Sequence, residues 1–135
     1  MSFKNILIDL REIFELFEDP KDKFIQLMDM AKESNVLDVS DKIDKNKIIG
    51  CTSQAWVLVT KNKDKTFTIK TDSDSQIVKG LLSILEKIFQ DQTAEKILEM
   101  TSQEILASIG LEGSVSSQRT NGFSSAVKKI QGIVR

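Results

Sequence analysis

The chain has 135 residues, 40% of them hydrophobic and 29% charged, which suits a single folded domain over residues 1–135 and excludes a disordered chain. Nineteen basic residues against twenty acidic ones, interspersed throughout, give a formal net charge of -1 and remove the basic face that a general nucleic-acid binder needs. With no histidine, no tyrosine and a single cysteine, Cys51, the chain cannot build a Ser-His-Asp triad, a Cys-His dyad, an ordinary Cys/His zinc site or an intrachain disulfide.

Phosphate-loop and GxGxxG patterns are absent, so the nucleotide enzymes recognisable by motif drop out as well. No apolar run approaches the ~20 residues of a membrane span. The opening MSFKNILIDLREIF has early acids and no small-residue cleavage site, so a cytoplasmic protein is expected.

From the N-terminus, Ile6, Leu10, Ile13, Phe14 and Phe17 form a helical stripe over 5–17. Asp19 as N-cap and Pro20 at the first helical position start a second helix, with Phe24, Leu27, Met28 and Ala31 on one face. These two helices are expected to pack together and against something else. The segment 33–47 is charged and aperiodic, with a short strand possible over 46–49. QAWVLVTK (54–61) and KTFTIKT (65–71) flank the polar residues 62–64 and predict a hairpin. A turn centred near Lys63 sets Val59 opposite Phe67 and Val57 opposite Ile69 on one apolar face, with Trp56 and Leu58 on the other.

Beyond the hairpin the chain reads as helical. Ser73 and Gln76 have capping-box spacing ahead of the strongest apolar stripe, Ile77, Leu81, Ile84, Leu85 and Ile88. Short helices are predicted after Thr93 and after Thr101, the latter with Glu104 at capping-box spacing and a stop at Gly110. A polar loop at 112–118 precedes a last helix from about Arg119 through Val127 and Ile130.

Chemistry is confined to carboxylates, lysines, arginines and one thiol. Cys51 follows Gly50 and precedes Thr52 and Ser53, where the chain approaches the first strand rather than inside an apolar stripe, a setting that suits a reactive thiol as well as a small buried hydrophobe. The hairpin register brings Cys51 to the same end of the sheet as Ser75. The backbone N–H groups at the start of the long helix would there favour a thiolate, while Asp72 and Asp74 oppose it. These two acids also read simply as stabilisers of the helix's first turn. Arg119, near a helix start, reads either as a solvated charge or as a site residue, and Trp56 reads as packing.

Three segments, in order, carry a resemblance: Gly50-Cys51-Thr52-Ser53-Gln54-Ala55-Trp56, Thr71-Asp72-Ser73-Asp74-Ser75 with Ile77-Val78-Lys79-Gly80, and Arg119-Thr120-Asn121-Gly122-Phe123. Together they resemble the SufE family of sulfur-acceptor proteins, whose pattern is GC-x-S-x-x-W, then SDA-x-I-V-x-G opening the central helix, then S-R-x-N-G opening the last one. Ser75 stands where the family usually has alanine, Gln118 replaces the serine before the arginine, and the turn at 90–95 lacks the family's glycine and proline.

The resemblance implies an α+β fold shared with iron-sulfur scaffold proteins, with helices packed on a small antiparallel sheet. It implies that Cys51 takes persulfide sulfur from a cysteine desulfurase of the SufS type and relays it to a scaffold complex of the SufBCD type. Ser73, Asp74 and Arg119 would then serve partner binding or the thiol's environment. No cofactor is expected on this chain, the pyridoxal phosphate belonging to the desulfurase, and neither a nucleic acid nor a membrane is an expected partner. Sulfur relay needs one nucleophilic thiol and neither metal nor histidine, which agrees with the inventory. The alternatives are an interaction module that stimulates the desulfurase by binding alone and, less favoured for lack of a histidine or second cysteine, a stand-alone thiol enzyme.

Overall fold

The N-terminal helices start at polar caps. In the computed structural model, which describes residues 2–34, 36–50 and 53–135, Ser2 Oγ accepts the Asn5 N–H at 3.2 Å, so helix α1 runs Phe3–Glu15, two residues ahead of its predicted span. Asp19 caps α2 (Pro20–Glu33) through the Lys21 N–H at 2.9 Å, with Pro20 leading as expected.

After α2 a strap of chain, 36–50, crosses the outer face of the sheet. It holds two 3-10 turns, Val39–Asp41 and Asp44–Asn46, each closed by local bonds. The strand expected over 46–49 reduces to one bridge between Lys47 and Trp56, with Ile48 N donating to Ala55 O at 2.8 Å.

The hairpin consists of β1 (Ala55–Lys61) and β2 (Thr66–Ser73), antiparallel, with Val59 opposite Ile69 and Val57 opposite Thr71. That is two residues away from the predicted register. The cause is a loop displaced by one residue: Asn62 N donates to Thr66 O and Asn62 O accepts from Lys65 N, so the three-residue loop is 63–65 rather than 62–64, and Lys65 takes φ 70 as its left-handed residue. A shift of two leaves every side chain on its predicted face. Val57, Phe67, Ile69 and Thr71 are buried inward. A third strand, β3 (Gln92–Thr93), pairs with Thr66 and Phe67 at the far end of β2, where the sequence suggested only a turn.

Helix α3 (Gln76–Phe89) lies between β2 and α2, and every residue from Val78 to Leu85 is buried. Its principal helical neighbour is α2, while α1 packs on α3 through a stacked pair, Phe3 and Phe89, with ring centroids 6.4 Å apart. Gly80 makes the α2–α3 contact possible. A Cβ there would lie 2.7 Å from the Leu27 carbonyl carbon and closer still to its oxygen, so α2 rests directly on α3 backbone.

The remaining helices are α4 (Ala94–Ile97), α5 (Ser102–Ser108) and α6 (Ser117–Val134). The predicted capping box forms in full, Glu104 N to Thr101 Oγ1 at 3.2 Å and Thr101 N to Glu104 Oε1 at 3.1 Å. Ser116 caps α6, which buries Phe123, Ala126, Val127 and Ile130 against β1 and α3. The fold is α+β, a small antiparallel sheet of order β1-β2-β3 with helices packed on it. Among the described residues no helix is long and apolar enough to cross a membrane.

Candidate functional site

The end of β2 is where the predicted site residues gather. Ala55 opposite Ser73 is the last strand pair, and beyond it the chain closes a polar clasp on Gln54. Asp74 N donates to Gln54 O at 3.1 Å while Asp74 Oδ1 accepts from Gln54 N at 3.1 Å. Ser73 Oγ donates to Gln54 O at 2.8 Å and accepts from Ser75 N at 3.2 Å. Ser73 and Asp74 therefore fix the chain three residues after Cys51. Cys51 and Thr52 themselves lie outside the described residues, as do Met1 and Asn35.

The capping expectation needs correcting here. The N-cap of α3 is Ser75, whose Oγ accepts from Val78 N at 3.4 Å, and not Ser73. With the helix starting at Gln76, Asp72 lies within β2 and Asp74 in the connection, so neither acid stands in the helix's first turn.

On the other flank of Cys51, Gly50 takes φ +90, and a Cβ built on it would stand 3.0 Å from Ser125 Oγ of α6. The backbone conformation calls for glycine, and a Cβ would in addition press on the Ser125 side chain. The approach to Cys51 is thus seated on the last helix, and the departure from it is held by Ser73 and Asp74.

Asp72 occupies the outer face of the sheet, paired across the strands with Trp56. It is 4% exposed. Its carboxylate accepts from Ser73 N at 2.9 Å and Leu37 N at 3.1 Å and pairs with Lys42 Nζ at 3.2 Å. Burial pushes the pKa of this acid up, but the two backbone donors and Lys42 together outweigh it and hold the carboxyl below its ordinary value. Lys42 Nζ also lies 5.4 Å from the Trp56 ring centroid, and Trp56 is buried packing as predicted.

On the inner face a polar cluster lies beneath Thr71. Lys79 Nζ bonds the Thr71 carbonyl and lies 3.3 Å from Thr71 Oγ1 and 3.5 Å from Glu86 Oε2. Glu86 in turn accepts from Thr71 Oγ1 at 2.9 Å and Ser34 Oγ at 2.8 Å. Burial lowers the Lys79 pKa, and Glu86 and Asp72 only partly restore it. Neither this cluster nor the Lys42–Asp72 pair was singled out from the sequence. The available signal for Asp72 was strand alternation, which sets it beside Trp56 rather than in a helix.

Arg119 is half-buried, its guanidinium 5.5 Å from the Phe24 ring centroid of α2. Lys23, next to Phe24, donates to Gly110 O at 3.0 Å and Ser114 Oγ at 3.3 Å, tying the loop before α6 to the same helix. Ser73 and Asp74 are thus brought together around Gln54. Arg119 stands apart, six residues or about 9 Å of helix rise from the Ser125 that adjoins Gly50.

The model of the SufE family, described as an Fe-S metabolism associated domain, matches residues 8–134. The chain belongs to the SufE family. It is 35% identical over 125 residues, 90% of its length, to the SufE-like protein 1, chloroplastic/mitochondrial, of Arabidopsis thaliana, and spans 33% of that protein. It is 34% identical to an uncharacterised SufE-like protein of Synechocystis, covering 93% of this chain and 77% of that one, and 32% identical to another from Rhizobium etli, covering 87% and 82%. A solution structure of a hypothetical protein from Thermus thermophilus shares the fold, with a TM-score of 0.77 at 17% identity over 96% of this chain and 93% of the other. Within this SufE chain the motif residue Gly80 has a packing reason, its contact with α2. Ser75, in place of the usual alanine, caps α3.

Proposed function

We propose that this SufE-family protein, with its place in iron-sulfur metabolism, accepts sulfur from a cysteine desulfurase of the SufS type on Cys51 and relays it to a SufBCD-type scaffold. The observation that carries the reading is the clasp of Ser73 and Asp74 on Gln54, opposite the glycine seat at Gly50, on either side of the chain's one cysteine. A segment fixed at both ends suits a thiol that must meet another protein's sulfur in line.

The chemistry balances without a redox partner. The Cys51 thiolate attacks the outer sulfur of the desulfurase's cysteine persulfide, a new S–S bond forms on Cys51, the old one breaks, and the desulfurase cysteine leaves as a thiolate that takes up a proton. Pyridoxal phosphate serves on the desulfurase, where the sulfur is first released from cysteine. Arg119 has the planar donor fork to engage a partner carboxylate.

Cys51→Ser is expected to bind the desulfurase with wild-type affinity and to lose its stimulation, measured as sulfide or alanine release. Stimulation undiminished in that variant would make the protein a non-carrier module that acts by binding alone.

A further inference from the structure

Asp72 is the one buried carboxylate among the described residues, and it does not touch Gln54. The ion pair itself adds little stability, because charges taken out of water gain little over well-packed hydrophobic substitutes, although the carboxylate is also the acceptor for the Leu37 and Ser73 N–H groups. What the charged pair adds is a defined attachment. Leu37 N and Lys42 Nζ both belong to the strap 36–50, and both end on Asp72. Lys42 is pinned a second time over Trp56, the residue that Lys47 also bridges.

Apolar burial alone holds the strap weakly. Leu37 and Ile48 are buried, but Val36, Val39 and Ile49 are each more than three-quarters exposed, and the two 3-10 turns bond only locally. The strap ends at Gly50, immediately before Cys51.

We infer that Lys42 and Asp72 are positioning residues: their pairing fastens the strap to the Trp56–Asp72 cross-strand pair and so holds the approach to Cys51 in one place for sulfur transfer. This rests on the acceptor reading above. The pair touches neither the transferred sulfur nor Gln54. It acts through the strap, from the opposite flank to Ser73 and Asp74.

The test uses the full chain, whose single thiol reports without background mutations. Iodoacetamide alkylation of Cys51 and sulfur loading by the desulfurase with cysteine are measured for Lys42→Met, Asp72→Asn, the double variant and Lys42→Arg. Release of the strap is expected to raise the alkylation rate about fivefold while lowering sulfur loading by a similar factor, in variants that circular dichroism and urea unfolding show to be folded, since unfolding alone would also expose the thiol. The double variant should match either single one, since both remove the same latch, and Lys42→Arg, which keeps the cation over Trp56, should behave as wild type. Should Asp72→Asn fail to fold, Lys42→Met, at the more exposed partner, carries the same expectation. Alkylation and loading within twofold of wild type in Lys42→Met would overturn the proposal, as would fully additive effects in the double variant. Wild type that alkylates normally yet takes no sulfur would instead overturn the acceptor reading and the transfer role with it.

Discussion

The middle of α3 and the end of β2 are neighbours held by different forces. Around Gly80 the contact is steric and apolar, with helix backbone on helix backbone flanked by Leu27, Leu81 and Leu82. From Thr71 to Asp74 it is polar: Lys79 and Glu86 engage Thr71, Lys42 and Leu37 engage Asp72, and Gln54 is engaged by Ser73 and Asp74. Close packing contributes stability but tolerates no added volume, whereas directional bonds fix where a segment lies at modest net gain. The difference assigns stability to the first region and the placement of Gln54 and the strap 36–50 to the second.

The largest effect should come from breaking the steric side. Gly80→Ala drives a methyl group into Leu27 backbone, and α2 must move away from α3 to admit it. A loss of about 3 kcal/mol in urea unfolding is expected, the upper range for overpacking. Under conditions where this variant is folded, its alkylation rate at Cys51 should remain that of wild type.

Lys79→Met sharpens the boundary between the regions, since Lys79 is buried in α3 yet bonded to β2. A loss of about 2 kcal/mol is expected at pH 7, less than for a wholly orphaned buried charge because Glu86 keeps the hydroxyls of Ser34 and Thr71. The sign of the pH dependence follows from burial, which lowers the folded pKa of Lys79 below its ordinary 10.5. Between those two values the unfolded chain binds more protons than the folded one, so the lysine's contribution to stability rises with pH. Chemical unfolding of wild type and variant from pH 7 to 10 should therefore give a widening gap, and a gap that narrows contradicts the burial account.

The helices were legible because their stripes and caps are local: Asp19 with Pro20, and Thr101 with Glu104, state their own positions. The hairpin faces were legible through alternation, but the register was not, because it depends on Lys65 adopting positive φ, for which a lysine gives no signal. A two-residue strand such as Gln92–Thr93 carries no period to read. The polar cluster was hidden for a different reason. Lys79, Ser83 and Glu86 recur at helical spacing and read as a solvated face, and only the arrival of β2 and α2 turns that face inward. Of the site, Cys51 was named from the residue inventory and its setting, Asp74 from the hairpin register, and the site roles of Ser73 and Arg119 from motif resemblance. The Lys42–Asp72 pair joins a strap to a strand 30 residues on, a contact no local pattern announces.

Arg119→Ala gives the smallest expected change in stability. Its guanidinium rests on Phe24, so about 0.5–1 kcal/mol should be lost in thermal or urea unfolding. Arg119→Lys should recover most of that loss and leave sulfur acceptance impaired, because a lysine cannot reproduce the planar fork. Full recovery of acceptance by lysine would reduce Arg119 to a packing residue of the α2–α6 contact.

The central claim is that Cys51 carries sulfur, and intact-mass and peptide mass spectrometry after incubation with a cysteine desulfurase and cysteine tests it most directly. The expected result is a gain of one sulfur atom, located on the peptide containing Cys51, removed by a thiol reductant and absent from Cys51→Ser. An unmodified Cys51 peptide, from a protein that nonetheless stimulates the desulfurase, would contradict it.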